Sequence, residues 1–251
     1  MKQSAREHDI IHAFVELSNR LVDGYDIVDL LTDWTANCAR LLDVAEAGLL
    51  LADGRGVLHL IAASSEGTHH LEVFQLQREQ GPCLDCFHSG APVVVPDLAA
   101  ESHRWPEFAR VAESVGFASI HAVPMLLQDT VLGTLGLFGN TPGRLEDDDL
   151  ALAQALVHVA SVAIVNERSA SDRDVVSAQL QHALSSRIVL EQAKGVLANV
   201  GELSMEDAFT VLRRYARDHG HKLTVVAERV VKRELRGQDL LDHARRASII
   251  T

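Results

Sequence analysis

Between Leu180 and Leu235 the sequence lays down three apolar stripes at helical spacing, and glycines punctuate them. The first stripe resumes at Leu180, Leu184 and Ile188, and its helix runs to Gly201. The second opens on Ser204-Met205-Glu206-Asp207, turns Met205, Ala208, Phe209, Leu212 and Ala216 inward, and stops at Gly220. The third follows Leu223, Ala227, Val230, Val231 and Leu235. A serine just before an apolar run caps free backbone N–H groups, and a glycine just past one ends the helix. Three amphipathic helices with short connections can bury their stripes only against each other, so this segment predicts a small all-α bundle.

Inside the first of these helices sits Gly195, in Glu191-Gln192-Ala193-Lys194-Gly195. Glycine in a helix interior costs about 1 kcal/mol relative to alanine, so close approach by another object is the expected reason for it. Arg187, Glu191, Lys194, Gly195 and Ala198 fall on one helical face, which predicts an exposed lysine and other charged heads around a smooth patch. Charge points the same way. From Leu180 to Arg236 ten basic residues face seven acidic ones, a net +3, leaving −15 for the remainder of a chain of net charge −12. The outer face of the bundle is expected to display Arg187, Lys194, Arg213, Arg214, Arg217 and Lys222, a surface suited to a polyanion. Plain solvated helix faces are the alternative reading of the same charges.

The first 166 residues change period. Ile10, Phe14, Leu17 and Leu21 predict a helix ending near Gly24, and Ile27 to Leu42 predict a second with Cys38 in its core stripe. Ala47–Ala52 and Val57–Ala63, around Asp53-Gly54-Arg55-Gly56, predict a hairpin; Ser119–Leu127 and Val131–Gly139 predict another. Pro92 to Pro96 reads as a short edge strand and Trp105 to Ser114 as a helix, while Glu66 to Gln80 reads as a polar stretch before the Gly81-Pro82 break. Acidic residues 146–149 open a long helix whose Leu152, Leu156, Val159 and Ala163 suggest a paired stalk, with a break or hinge near Ser169 to Asp174 as the alternative. With 47% hydrophobic and 23% charged residues over 251 positions, the chain is expected to fold as two domains. The expected fold is α+β: an antiparallel sheet with flanking helices over residues 1–166, a stalk or hinge over 167–179, the bundle over 180–236 and a tail over 237–251. No apolar run reaches the length of a membrane span and the N-terminus lacks a signal-peptide core, so a cytoplasmic chain without membrane contact is expected. Three cysteines make no disulfide framework.

The run Arg187 to Leu197, followed by Met205-Glu206-Asp207-Ala208-Phe209, Leu212-Arg213, Ala216, Lys222-Leu223 and Ala227, resembles the ANTAR family in order and spacing. Upstream, Gly81-Pro82-Cys83, Pro96-Asp97-Leu98, Gly116-Phe117-Ala118-Ser119 and Val123-Pro124, with the helices and hairpins, resemble a GAF sensory domain. These resemblances imply a bacterial transcription antitermination regulator whose three-helix domain binds RNA stem-loops, with a GAF domain that senses a signal or dimerises. By motif position they imply phosphate contacts at Lys194 and Arg213, polar contacts at Gln192 or Arg187, and close approach at Gly195; Arg214, Arg217 and Lys222 are further RNA-binding candidates. Tyr215 is read as a stacking ring or as packing. Expected partners are RNA hairpin loops, a second copy of the chain and the transcription machinery. The rival reading is a signalling module whose C-terminal bundle binds a partner protein instead of RNA.

Other chemistry finds little support. Cys83-Leu84-Asp85-Cys86 with His88 offers half a zinc site or a redox pair, but no second half with standard spacing accompanies it, so no metal site is expected. No nucleophile elbow, phosphate-binding glycine loop or zinc-protease motif is found, and the chain is expected not to be an enzyme. Cys83, Cys86, Trp105, Phe117 and His121 are the candidate lining of a small-molecule pocket in the GAF-like domain. No cofactor is expected, and an empty domain serving only dimerisation is the other reading.

Overall fold

The computed structural model describes residues 8–16, 26–165, 173–247 and 249–250, which divide into two compact units, one over residues 8–16 and 30–181 and one over residues 26–29 and 182–250. Leu17, Leu21 and Gly24 of the first expected helix, and residues 167–172 of the expected stalk or hinge, lie outside the described residues.

In the first unit, helical residues 8–16 (α1) and α2 (Ile27–Leu41) precede β1 (Glu46–Ala52) and β2 (Leu58–Ala63). Then come α3 (Glu66–Arg78), α4 (Pro82–Ser89), β3 (Val93–Val95), α5 (Pro106–Ser114), β4 (Ser119–Leu127), β5 (Thr130–Gly139) and α6 (Asp147–Val165). The five strands form one antiparallel sheet in the order β2-β1-β5-β4-β3, so Val93–Val95 is an edge strand as its flanking prolines predict. Asp53 Oδ1 accepts from the N–H groups of Arg55 and Val57 at 2.8 and 3.0 Å, which builds the β1–β2 turn from one side chain. Ala47 to Ala52 are all buried because both faces of the sheet are covered.

One face carries α3, α4 and α5 over Leu50, Ala52, Ile120, Ala122 and Phe138. On the other, α6 packs on β4, and Trp34 of α2 donates to the Leu156 carbonyl at 3.3 Å. The inward face of α6 is Ala153, Leu156, Val157 and Ala160, rotated from the stalk seam expected at Leu152, Leu156 and Val159. The sheet beneath the helix claims the stripe that sequence periodicity offered to a partner.

Two helices of this unit escaped the sequence. In α3 the buried residues are Thr68, Leu71, Glu72 and Gln75, at i, i+3, i+4 and i+7, so the inward face is mostly polar and leaves no apolar stripe. Its start is legible: Ser65 Oγ accepts from the Thr68 N–H at 3.2 Å. The break at Gly81-Pro82 opens α4, with Pro82 in the first turn where its missing N–H costs nothing.

The second unit contains the C-terminal part of α7 (Arg173–Gly201), then α8 (Met205–Asp218), α9 (Leu223–Val231) and α10 (Gly237–Arg246). Leu190, Ala193 and Leu197 of α7 are buried, as are Ala208, Val211, Leu212 and Ala216 of α8 and Leu223, Val226, Ala227 and Val230 of α9, and α8 packs on α9. Ser204 caps α8, accepting from the Asp207 N–H at 3.0 Å. The expected tail over 237–251 is corrected by α10, which buries Leu240, Leu241 and Ala244 and packs on α8. A Cβ at Gly201 would lie 2.8 Å from Leu241 Cδ2, and one at Gly237 would lie 3.2 Å from Leu197 Cδ2. The short chain of small residues thus admits a fourth helix to a bundle expected to have three. No described helix is long and apolar enough to cross a membrane.

Candidate functional site

The cations expected on one outer face of the bundle separate into two sets. On α7 the inward face runs through Ala183, Ser186, Arg187, Leu190, Ala193, Lys194 and Leu197, so Arg187 and Lys194 point into the structure. Arg187 is 9% exposed and pairs with Glu191 Oε1 at 2.6 Å. Burial pulls its guanidinium below the usual arginine range while Glu191 pushes it back. Lys194 Nζ donates to both Glu191 oxygens at 3.1 Å and lies 5.9 Å from the Phe209 ring centroid. The Arg213 guanidinium lies 5.9 Å from the same centroid. Glu191, four residues from Arg187 and three from Lys194, therefore clasps the two cations together on α7, and Lys194 carries the contact to Phe209 of α8. The expectation that Lys194 is exposed is corrected: its side chain is 12% exposed.

Gln192 and Gly195 do face outward, and a Cβ at Gly195 would meet nothing within 4 Å. No described neighbour explains the glycine. Arg214, Arg217 and Lys222 are exposed at the C-terminal end of α8 and the start of α9. Among them Tyr215 and His219 stack with centroids 4.0 Å apart and planes 18° from parallel, and His243 of α10 meets both rings at 5.3 and 5.0 Å. Asp218 holds the corner, accepting from Arg214 Nε at 2.8 Å and facing His243 Nε2 at 2.9 Å; these contacts hold its carboxyl below the usual range. His219 and His243 are members of this cluster that sequence reasoning missed, because His243 comes from a helix it read as tail.

In the first unit, Cys83, Cys86, Trp105 and Phe117 meet in one apolar cluster with Phe108, Ile120 and Phe138. His121 is not with them. It lies between Ile120 and Ala122 on β4, and alternation sends it to the opposite sheet face, where Nε2 accepts from the Leu145 N–H at 3.2 Å. Burial, with the Arg144 charge second, pushes its ring down to about 4, so it stays neutral at physiological pH.

The side chains missed at this core are Glu72 and Gln75, both fully buried. Gln75 Nε2 donates to Glu72 Oε2, Cys83 Sγ donates to Glu72 Oε1 at 3.7 Å, and the Cys83 N–H donates to Gln75 Oε1 at 3.2 Å. Beneath them lie Gly48 and Gly136, paired across β1 and β5. A Cβ on either would stand 2.5 or 2.8 Å from Glu72 Oε1, so the two glycines form the floor that admits the carboxyl. Burial raises Glu72 to about 8, against the lowering effect of its hydrogen bonds, and pushes the Cys83 thiol well above its ordinary value and Cys86 to about 12. Such thiols are poor nucleophiles. Among the described residues no three His, Cys, Asp or Glu side chains converge as a metal site.

A search of curated proteins gave no match. Among solved structures, the chain is similar to the GAF domain of an Acinetobacter phosphoenolpyruvate-protein phosphotransferase, at 14% identity, 70% of this chain and 94% of that one covered, and TM-score 0.48. The corresponding GAF domain from Coxiella burnetii gives 14%, 64%, 95% and 0.49. The domain of a Sinorhizobium meliloti two-component sensor histidine kinase gives 15%, 56%, 92% and 0.47. Family models match a GAF domain over residues 25–165 and an ANTAR domain over residues 178–231, the first spanning more than half of the chain. The chain therefore belongs to the GAF-domain family and joins its GAF domain to a C-terminal ANTAR domain, the organisation of a sensory regulator.

Proposed function

We propose that this chain is a cytoplasmic transcription antitermination regulator, working as a homodimer, that binds RNA stem-loops through its ANTAR domain under control of its GAF domain. The observation that supports the reading best is the corner where α8, α9 and α10 meet: exposed Arg214, Arg217 and Lys222 interleaved with the Tyr215–His219 stack. Unpaired loop bases bind by stacking on such rings, and phosphates bind such cations, whereas side chains cannot enter the deep groove of an RNA duplex. Behind this surface Lys194 of α7 meets the Phe209 ring of α8, Arg187 shares Glu191 with Lys194, and Arg213 pairs with Asp29 Oδ1 at 2.7 Å. The GAF domain contributes its buried Glu72–Gln75–Cys83 network as the polar element of a closed core, and Thr134 Oγ1, on the Gly136 face of β5, is buried without a hydrogen-bond partner among the described residues. A small polar ligand that enters this core has those groups to bind.

The test is an electrophoretic shift titration of the full chain against RNA carrying two consecutive hairpin loops, at several salt concentrations. Binding should weaken steeply with salt, and replacing Arg214, Arg217 and Lys222 together by alanine should lower the log–log salt slope by about 2. Absence of binding at low salt, or a slope unmoved by the triple substitution, favours the partner-protein reading of the bundle.

A further inference from the structure

Residues 26–29 open α2 and belong to the second unit, whereas residues 30–41 of the same helix belong to the first. Two carboxylates sit in that opening turn. Asp26 Oδ1 accepts from the Val28 and Asp29 N–H groups at 3.1 and 3.2 Å, and its Oδ2 accepts from the Thr224 N–H at 2.7 Å. One side chain therefore caps both α2 and α9, across 198 residues of sequence. The start of α9 has no side-chain cap of its own, because Lys222 at the N-cap position carries no oxygen to accept a backbone N–H. Asp29 Oδ1 stands 2.7 Å from Arg213 Nε on α8. With Arg217, His221 and Lys222, these groups line a cleft of about 230 Å³. Apart from the two acids, the charged side chains of the cleft are all cationic.

Building on the RNA-binding reading of this unit, we propose that the cleft is a phosphate site of the RNA surface, and that Asp26 and Asp29 occupy it as a built-in competitor of RNA. A carboxylate oxygen and a phosphate oxygen are the same kind of partner here, each an anionic acceptor for a guanidinium N–H and for the N–H groups at a helix start. Arg213 and the Thr224 N–H are arranged for an anion and already engaged by one. RNA phosphate reaches them only by displacing the two acids. Arg217 and Lys222, which also belong to the corner of the Tyr215–His219 stack, line the cleft that the phosphate enters. Whatever strengthens the hold of residues 26–29 on the cleft weakens RNA binding by the same factor, and bound RNA loosens that hold in return. The rest of α2 gives the GAF domain a covalent lead to the competitor, since Trp34, about two turns further along, donates to the Leu156 carbonyl of α6. A signal that draws the opening turn of α2 out of the cleft frees the site.

The test titrates the full chain and its variants with RNA carrying two consecutive hairpin loops. Asparagine keeps an acceptor oxygen for the caps and for Arg213 and removes only the charge. Asp29→Asn should tighten RNA binding by about tenfold, and Asp26→Asn should act in the same direction through the start of α9, so either variant serves if the other melts early in circular dichroism. Glu206→Gln, which removes one charge from the exposed first turn of α8, should have a much smaller effect. In an Arg213→Gln background the gain from Asp29→Asn should vanish, because the cation that Asp29 masks is gone. Affinity unmoved by both asparagine variants, a gain equalled by Glu206→Gln, or a gain that survives Arg213→Gln would overturn the proposal while leaving RNA binding in place. Tripolyphosphate, titrated calorimetrically, separates the two readings from the other side. In a chain that binds no RNA, a tripolyphosphate affinity that rises in Asp29→Asn, and not when Arg213→Gln is added, sinks the proposed function and leaves the masked phosphate site standing; an affinity that does not rise overturns the site as well.

Discussion

Replacing Glu72 by glutamine should change how the stability of the sensory domain depends on pH, and the structure fixes both sign and size. Glu72 is fully buried over Gly48 and Gly136, and its carboxyl is raised from 4.5 to about 8. The folded chain keeps the proton across that interval while the unfolded chain releases it. Stability that is fully present below about pH 4.5 is therefore lost progressively as pH rises, and the loss is complete above about pH 8. At about 1.4 kcal/mol per pH unit, the interval from 4.5 to about 8 amounts to about 5 kcal/mol at most. Glutamine has nearly the same shape, still accepts from Gln75 and cannot ionise. Urea unfolding followed by tryptophan fluorescence isolates the effect, because the chain's two tryptophans, Trp34 and Trp105, both belong to the first unit. The two proteins should have similar stability at pH 5, and the variant should lead by several kcal/mol at pH 8 to 9. Groups common to both proteins cancel in the difference. A gap that stays constant from pH 5 to 9 would refute the claim that the native domain stores a proton at Glu72.

Glu191→Gln should cost about 2 kcal/mol, because it leaves the buried Arg187 guanidinium and Lys194 without their shared carboxylate; thermal unfolding by circular dichroism measures this, and a neutral effect would show the clasp to be dispensable. Ser204→Ala should lower stability by about 1 kcal/mol through loss of the α8 cap, read in the same assay. Gly201→Ala should also destabilise, by about 1 to 2 kcal/mol, since its Cβ meets Leu241 at 2.8 Å; an increase in stability would mean that α10 does not pack there. Native protein at pH 8 should not react with a thiol-specific chromogenic reagent, and all three cysteines should react on unfolding; a rapid native reaction at one residue would contradict their burial.

How far the fold was legible depended on whether burial followed hydrophobicity. Both hairpins, the edge strand and the capped α8 carry their signals in residue types, and they stand where those residues place them. In contrast, α3 hides a polar face against the sheet, so the pattern that reveals helices was absent where the domain keeps its least ordinary chemistry. The separation of Arg187 and Lys194 from Arg214, Arg217 and Lys222 was only partly legible. The i+4 and i+3 relation of Arg187 and Lys194 to Glu191 is in the sequence, but nothing local says that the face they share is the one covered by α8. Strand alternation alone would have removed His121 from the pocket lining, since Ile120 and Ala122 were bound to face the other way. Membership of α10 in the bundle became visible only in the structure, through its buried Leu240, Leu241 and Ala244 and the tight fit of Gly201 and Gly237 against leucines.

The paired glycines under Glu72 make three distant positions share one allotment of volume. Gly48 and Gly136 stand on neighbouring strands at a single rung, and the space they release is filled by a side chain from α3. A methyl group added at either strand position should expel the carboxyl, and shortening residue 72 to serine should make room for it again. Substitutions that are harmful singly should then be tolerated together, so that these residues, far apart along the chain, are inherited as a set.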